Sequence, residues 1–265
     1  MTGKYKIGCV PYLNAEPLIW PLENGQIQHG FEIIREVPSK LVRKIGMGEL
    51  DCALASTVAL MDFPNLVPVP NIAIASRSAA ASVLLFHNDP IGDLSTIWLD
   101  PASRTSNVLV QILRDRSSHT KCKFINPEFG NPPEIDGLPE KTGRLLIGDK
   151  ALEVSNGANA FTNFTDLGEL WKEKTGHSMT FARWFTRSGD IAAELMPLLA
   201  QARDWSLVHL PLIIDNVSLK YGFPPELVDR YLRINICYVH GPREQAGERL
   251  FMTEAKNLLS KKDYG

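Results

Sequence analysis

Short apolar segments alternate along the chain with longer segments in which apolar residues recur at helical spacing. Continuous apolar runs predict strands at 5–10, 51–55, 82–86, 96–100, 144–149 and 180–186. Helical spacing predicts helices at 40–48, 108–113, 167–171, 191–204, 206–219, 225–239 and 243–261. Ser39 is the expected N-cap of the first of these helices, and Pro197 is expected to kink the helix at 191–204. Strands that alternate with helices are typical of an α/β fold with mainly parallel strands.

Two segments mark points where the chain is expected to pass between compact units. They are the polar connection at 87–91 and the returning segment at 179–186. We therefore predict that residues 1–86 and 187–265 form one discontinuous α/β lobe and that residues 92–178 form a second lobe. A ligand cleft is expected between the two lobes.

Composition excludes several classes of protein. Of the 265 residues, 44% are hydrophobic and the net charge is −2, which gives no indication of a nucleic acid or membrane partner. No apolar run approaches the ~20 residues of a membrane-spanning helix, and the N-terminus lacks the apolar region of a signal peptide, so a cytoplasmic protein is expected. Neither a metal nor a cofactor is predicted, because the cysteines are scattered: Cys9, Cys52, Cys122 and Cys237.

The first candidate site follows the first predicted strand. Pro11 ends that strand, and Tyr12 and Asn14 come next, an aromatic ring and an amide that both donates and accepts hydrogen bonds. In open α/β sheets, ligands bind just beyond the carboxyl ends of strands, so both side chains are candidates for substrate contact. An ordinary turn is the alternative explanation, because Asn and Pro are also common turn residues.

A second polar cluster follows the predicted strand at 96–100. Ser103, Thr105 and Ser106 open a helix, whose first N–H groups, together with these hydroxyls, suit a carboxylate. Simple N-capping by Ser103 is the alternative. Arg104 is a weaker candidate for a second carboxylate, since a side chain at this position often points to solvent.

Further candidates for substrate binding also lie at predicted strand ends. Ser56 and Thr57 follow the strand at 51–55, where hydroxyls can hold a ligand carboxylate. Asp149 ends the strand at 144–149, and capping of the next helix explains it equally well. The periodicity around Trp171 and Trp184 predicts that both rings belong to the core.

Several blocks together resemble the chorismate dehydratases (MqnA) of the futalosine route to menaquinone, within the MqnA/MqnD family. The blocks occur in order at 8–18, 48–54, 82–86, 103–106, 146–152, 166–176 and 181–184. The resemblance implies a fold like that of the type II periplasmic binding proteins. It also implies the loss of water from chorismate to give 3-[(1-carboxyvinyl)oxy]benzoate, and it places Asn14 and Ser82 opposite the reacting ring. Ser178, Thr180 and Arg183 depart from the family pattern and could alter substrate choice if they line the cleft.

The reaction requires a base, and the residues leave its identity open. None of the histidines falls in a matched polar cluster: His29, His87, His119, His177, His209 and His240. Glu16 lies beside the first motif, but its direction is uncertain because Pro17 follows it. The other candidate base is a substrate carboxylate, with Asn14 and Ser82 orienting the ring and supporting the leaving hydroxyl. A non-catalytic binding protein for a small carboxylate is the alternative function, and the sequence does not determine the oligomeric state.

Overall fold

The computed structural model describes residues 5–118, 120–157 and 160–262. The strands are β1 (Tyr5–Cys9), β2 (Phe31–Arg35), β3 (Cys52–Ser56), β4 (Val67–Ser76), β5 (Val83–His87), β6 (Thr96–Trp98), β7 (Lys123–Ile125), β8 (Thr142–Ile147), β9 (Phe164–Asp166), β10 (Met179–Thr186) and β11 (Cys237–His240). The α-helices are α1 (Glu16–Glu23), α2 (Pro38–Gly46), α3 (Ala59–Asp62), α4 (Arg104–Ser117), α5 (Gly148–Asn156), α6 (Leu167–Thr175), α7 (Gly189–Val208), α8 (Leu210–Tyr221), α9 (Pro225–Arg230) and α10 (Pro242–Lys262). Short 3-10 turns occupy Leu13–Ala15, Ile91–Asp93 and Pro127–Phe129, and a π-helical turn occupies Tyr231–Asn235.

The chain divides into two compact units, each built on one sheet. The first unit contains the described residues up to Ala75 and Thr180–Pro242, and the second contains Ser76–Met179 and the described residues from Arg243 onward. The sheet of the first unit has the strand order β11-β4-β10-β3-β1-β2, and that of the second has the order β7-β6-β8-β5-β9.

The predicted boundaries of the lobes were wrong at both ends. Strand β5 pairs with β8 and β9, so 82–86 belongs to the second unit and 87–91 is a connection inside it. Segment 179–186 is strand β10, which pairs with β3, rather than a linker. The C-terminal helix α10 also belongs to the second unit. The chain therefore passes between the units three times, after Ala75, Met179 and Pro242. The first two passages lie within the long strands β4 and β10, and the third lies at the start of helix α10.

Both sheets are mixed rather than mainly parallel. In the first unit, β1 pairs in parallel with β2 and β3, whereas β10 and β11 pair antiparallel with β3 and β4. In the second unit, β6 is parallel to β7 and β8, and β5 is antiparallel to β8 and β9. The apolar pattern missed the antiparallel pairs because a buried strand shows the same run of apolar residues in either direction.

Two local predictions also need correction. Helix α2 begins at Pro38 without a side-chain cap, so Ser39 lies inside its first turn. Proline is favoured there because its fixed backbone angle suits a first helical turn. The predicted helix at 225–239 is divided into α9, the π-helical turn and strand β11. Helix α7 continues from Gly189 to Val208 and includes Pro197.

Each unit has its own core. In the first, Ile7, Leu18, Leu54 and Trp184 are fully buried, and in the second an apolar cluster includes Leu84, Phe86, Leu138 and Leu146. No helix in the described residues is both long enough and apolar enough to span a bilayer.

Candidate active site

Asn14 lies in the turn that connects β1 to α1 in the first unit. Tyr12 has an extended backbone, and its carbonyl oxygen accepts a hydrogen bond from Ala15 N at 3.0 Å, which closes the 3-10 turn. The side chains of Tyr12 and Asn14 are both half-buried. Asn14 Oδ1 is buried and accepts no hydrogen bond within the described residues. Because an unpaired buried acceptor is unfavourable, this atom is suited to a donor from a ligand or water.

Glu16 is held in a buried ionic network in the same unit. Its carboxylate is fully buried and accepts hydrogen bonds from Arg35 Nη2 at 3.2 and 3.3 Å, Lys220 Nζ at 2.8 Å and Tyr221 OH at 2.5 Å. Two cations and a phenol therefore already bind both oxygens of this carboxylate. The geometry therefore supports a structural role for Glu16 and argues against its role as the base.

Ser56 ends strand β3 and Thr57 follows it, beside the carboxyl end of the parallel strand β1. Ser56 is the last residue of β3 and is 9% exposed. Thr57 is fully buried, and its hydroxyl donates to Thr180 O at 3.0 Å while its N–H donates to Phe181 O. Thr57 therefore joins two backbone segments of the first unit in this structure, a contact that the sequence pattern did not predict. Ser56 retains its position at the strand end.

The second unit brings several predicted residues to one end of its sheet. Strands β6 and β8 are parallel, so Ser103 and Asp149 follow neighbouring carboxyl ends. Ser82 directly precedes β5, which is antiparallel to β8, and Ser82 O accepts a hydrogen bond from Gly148 N at 2.8 Å. The start of β5 therefore lies beside the start of α5. Ser82 is 2% exposed.

Ser103 is the N-cap of α4, as its position predicts. Its Oγ accepts a hydrogen bond from Ser106 N at 3.2 Å and donates to Ser106 Oγ at 3.0 Å. Thr105 and Ser106 are almost fully buried in the first turn of the helix. Ser103 therefore caps the helix. The helix N-terminus it stabilises is the part of the cluster that suits an anion.

Asp100 organises this sheet end, and sequence reasoning missed it. Its Oδ1 accepts a hydrogen bond from Ala102 N at 2.8 Å, and its Oδ2 accepts one from Ile147 N at 3.0 Å. Asn107 binds the Asp100 backbone from the other side, donating to Asp100 O and accepting from Asp100 N. Burial raises the pKa of the Asp100 carboxyl, and its backbone hydrogen bonds and the charge of Arg144 oppose that rise. An aspartate at the end of the predicted strand 96–100 was the only available sequence signal.

Asp149 and Arg104 occupy the first turns of their helices. Asp149 is the second residue of α5, half-buried, and the N-cap position belongs to Ile147, which provides no side-chain cap. The prediction that Asp149 ends a strand was therefore wrong, because strand β8 ends two residues before Asp149. Arg104 is an exposed residue, and partial desolvation lowers the pKa of its guanidinium.

The remaining chemistry-bearing residues have structural surroundings. His29, His87 and His240 hydrogen-bond within their own units, and His119 lies outside the described residues. Trp171 and Trp184 are fully buried. Among the described residues, no three His, Cys, Asp or Glu side chains form a group that could hold a metal ion.

The three departures from the family pattern are also buried. Arg183 donates to Val69 O at 2.8 Å and to Ile72 O at 3.1 Å inside the first unit. The hydroxyls of Ser178 and Thr180 have no hydrogen-bond partner within the described part of the chain.

Comparison with known proteins identifies the family. A family model described as "Menaquinone biosynthesis" matches residues 5–257 of the chain. The chain belongs to this menaquinone biosynthesis family. The ordered blocks that resembled MqnA proteins therefore gave the correct family.

Two curated relatives of this family are named chorismate dehydratase. The protein from Thermus thermophilus is 28% identical over 244 residues, which cover 86% of this chain and 87% of the relative. The protein from Campylobacter jejuni is 28% identical over 184 residues, which cover 67% of this chain and 65% of the relative.

Solved structures confirm the predicted fold class. A protein from Archaeoglobus fulgidus matches with a TM-score of 0.72 at 12% identity, covering 96% of this chain and 97% of the other. The sulphonate-binding protein SsuA from Escherichia coli matches with a TM-score of 0.64 at 13% identity, covering 97% and 87%. SsuA from Xanthomonas axonopodis matches with a TM-score of 0.66 at 12% identity, covering 97% and 93%. This chain therefore has a periplasmic-binding-protein-like α/β fold.

Proposed function

We propose that this protein is a chorismate dehydratase of menaquinone biosynthesis, a carbon–oxygen lyase. In the reaction, a ring C–H of chorismate loses its proton and the ring hydroxyl leaves, so that water and 3-[(1-carboxyvinyl)oxy]benzoate are formed. The observation that carries the proposal is the family match over residues 5–257, together with the activity named for both relatives. The net change is an elimination without oxidation or reduction, which agrees with the expectation that no cofactor is needed.

The carboxylate-binding role is proposed for the end of the second unit's sheet. Chorismate carries two carboxylates, and the start of α4 offers a helix N-terminus with the hydroxyls of Thr105 and Ser106 beside it. Ser103 stabilises this first helical turn by capping it. Arg104 and Asp149 lie in the first turns of α4 and α5, and both remain candidates for substrate contact.

Asn14 is proposed independently as the residue that orients the ring. Its buried Oδ1 lacks a partner within the described residues, which is the state expected of an atom that a ligand donor satisfies. Tyr12 is two residues away and half-buried, and Ser56 ends the adjacent parallel strand. Ser82 is proposed to support the leaving hydroxyl.

The proton acceptor is proposed to be a carboxylate of the substrate itself. Glu16 is the nearest protein carboxylate in sequence to Asn14, but Arg35, Lys220 and Tyr221 already bind it. Both of its oxygens are bound by protein donors, so neither is available to the ring C–H of a substrate in this arrangement. Substrate-assisted removal of the ring proton requires only that the chain hold chorismate in the reactive conformation.

The decisive experiment is incubation of the purified protein with chorismate, followed by mass spectrometry of the products. We expect a product lighter than chorismate by one water, with the fragmentation pattern of an enolpyruvyl benzoate. A matched incubation without the protein is the control for non-enzymatic breakdown of chorismate, and the Asn14→Ala protein is expected to form the product about 100-fold more slowly. Saturable binding of chorismate without conversion would contradict the proposal and would favour a non-catalytic carboxylate-binding protein. A small-molecule substrate and a cytoplasmic location are parts of the same proposal.

A further inference from the structure

The carboxylate of Asp166 binds backbone N–H groups from two separate segments of the second unit. Its Oδ1 accepts hydrogen bonds from Gly168 N at 2.9 Å and Glu169 N at 3.1 Å, which caps helix α6. Oδ1 also accepts one from Ala80 N at 3.0 Å, and Oδ2 accepts one from Ala81 N at 2.7 Å. Asp166 is 7% exposed, so these backbone groups replace the water that an exposed carboxylate would bind.

Ala81 has a backbone conformation that is unfavourable for alanine. Its φ is +59°, in the left-handed region, which costs about 1–2 kcal/mol for a residue with a Cβ. Its N–H makes the shortest of the four bonds to Asp166. A strained conformation persists only where the surroundings stabilise it. The hydrogen bond from Ala81 N to the Asp166 carboxylate is one contact that stabilises it here.

Ser82 directly follows Ala81 and is fixed on its other side. Ser82 O accepts the N–H of Gly148 at 2.8 Å, and β5 begins at Val83. Any change in the Ala81 backbone therefore rotates the peptide that carries Ser82.

Helix α6 packs directly on the loop that precedes Ser82. A Cβ on Gly168 would lie 2.6 Å from Ser76 Oγ and 2.7 Å from Ser78 O. Glycine at the second position of α6 thus lets the helix N-terminus approach the loop closely. Ordinary capping explains the bonds to Gly168 and Glu169, but it explains neither the bonds to Ala80 and Ala81 nor the left-handed Ala81.

We propose that Asp166 is a positioning residue for the dehydration, acting through Ala81 on Ser82. The proposal rests on the proposed function and adds to it a residue that does not itself touch the substrate. Asp166→Asn is the sharpest variant. The asparagine oxygen can still cap α6 and bind Ala80 N, since Asn is itself a favoured N-cap, but its NH₂ group then faces the Ala81 N–H, donor to donor.

The test is a double-mutant cycle of Asp166→Asn and Ser82→Ala, measured as single-turnover rates with enzyme in excess so that slow variants remain measurable. We expect Asp166→Asn to lower the rate about tenfold, less than direct loss of a catalytic donor, with the KM for chorismate changed less than about twofold. If Asp166 acts through Ser82, the double variant has the same rate as Ser82→Ala alone. Rate losses that multiply in the double variant would overturn the proposal, as would an unchanged rate in Asp166→Asn.

Two further variants separate positioning from general stability. Ser188→Ala removes a comparable cap, the bond from Ile191 N to Ser188 Oγ at the start of α7, and is expected to lower the melting temperature without changing the rate. If Asp166→Asn does not fold, Asp166→Ser keeps a favoured cap for α6 but is too short to bind the 80–81 backbone as well, and it enters the same cycle. Failure of the wild-type protein to convert chorismate would disprove the proposed function, and this inference with it. Conversion by the wild type with multiplicative losses would disprove only the inference.

Discussion

Asp100 and Ile147 are joined by a hydrogen bond of 3.0 Å between the carboxylate Oδ2 and the backbone N–H, although 47 residues separate them in the chain. The other oxygen of the same carboxylate binds Ala102 N. A single buried side chain thus connects the loop before α4 to the residue that precedes α5. The relative positions of Ser103 and Asp149 depend on this connection.

Replacement of Asp100 by asparagine is expected to weaken substrate binding. The amide has only one acceptor oxygen, so either Ala102 N or Ile147 N loses its partner and the start of α4 shifts. We expect the KM for chorismate to rise about tenfold, which corresponds to roughly 1.4 kcal/mol. Steady-state kinetics provide the measurement, with Asp136→Asn at an exposed position of the same unit as the control. An unchanged KM would show that the helix start is held by other contacts.

The same variant should alter how stability depends on pH. Burial raises the pKa of Asp100 above the ordinary value of 3.8, so the folded protein binds this proton more tightly than the unfolded chain does. Its contribution to stability is complete below pH 3.8 and is lost as the pH rises through the folded-state pKa. The stability of the wild type relative to Asp100→Asn should therefore fall with rising pH across that window. Urea unfolding of both proteins at several pH values measures the difference, and an increase would contradict the assignment.

Joint replacement of Thr105 and Ser106 by alanine tests the carboxylate-binding role. Each charge-assisted hydrogen bond contributes about 1.5–3 kcal/mol, and the backbone N–H groups remain in the variant, so binding should weaken by roughly 2–4 kcal/mol. Isothermal titration calorimetry with chorismate measures the affinity. If affinity is unchanged and only the melting temperature falls, the two hydroxyls serve the helix cap alone.

Asn14→Ala tests the orienting role of the amide. We expect the dehydration rate to fall about 100-fold or more, comparable to the loss of one well-placed donor, while the fold and the affinity for chorismate are largely preserved. Single-turnover kinetics together with equilibrium binding separate the two effects. Asn24→Ala is the control, because that amide donates to Trp20 O in the same unit and has no proposed contact with substrate. A rate near that of the wild type would exclude Asn14 from the reaction.

Glu16→Gln distinguishes the structural role of this carboxylate from a role as the base. The neutral amide cannot balance the charges of Arg35 and Lys220, so the free energy of unfolding should fall by about 1–3 kcal/mol while the rate per folded molecule is retained. Glu23→Gln is the comparison, because Glu23 also binds Arg35 but its side chain is 29% exposed. Its loss of stability should be smaller. Abolished turnover in folded Glu16→Gln protein would establish Glu16 as the base.

The elements that sequence analysis found are those whose signals are local. The cap at Ser103 needs only the next three residues, and strands such as β3 and β5 are uninterrupted apolar runs. Strand β4 was missed because its sequence begins Val-Pro-Val-Pro, and proline usually argues against a strand. Strand β2 was missed because charged and apolar residues mix along it and only part of each side chain is buried.

Sequence analysis could propose those candidate site residues whose type and position at a strand end already indicate ligand binding. Asn14 and the hydroxyls at 103–106 stand out at strand ends, whereas Asp100 and Asp166 act on backbone groups far away in the chain. A backbone N–H has no sequence signature, since every residue except proline carries one. The sequence also could not show the role of Glu16. Its partners Arg35, Lys220 and Tyr221 come from distant segments of the chain.

The assignment of α10 to the second unit has a consequence for synthesis of the chain. Phe251 packs edge-on against Trp171, and Gly247 lets α10 lie directly against the carbonyl of Ser178. The ribosome must therefore synthesise the chain through α10 before this unit can acquire that helix, and the first unit likewise waits for Thr180–Pro242. The second unit is therefore completed only after the whole first unit has been translated. Nascent chains halted before residue 242 should leave the apolar face around Trp171 uncovered and should depend on chaperones.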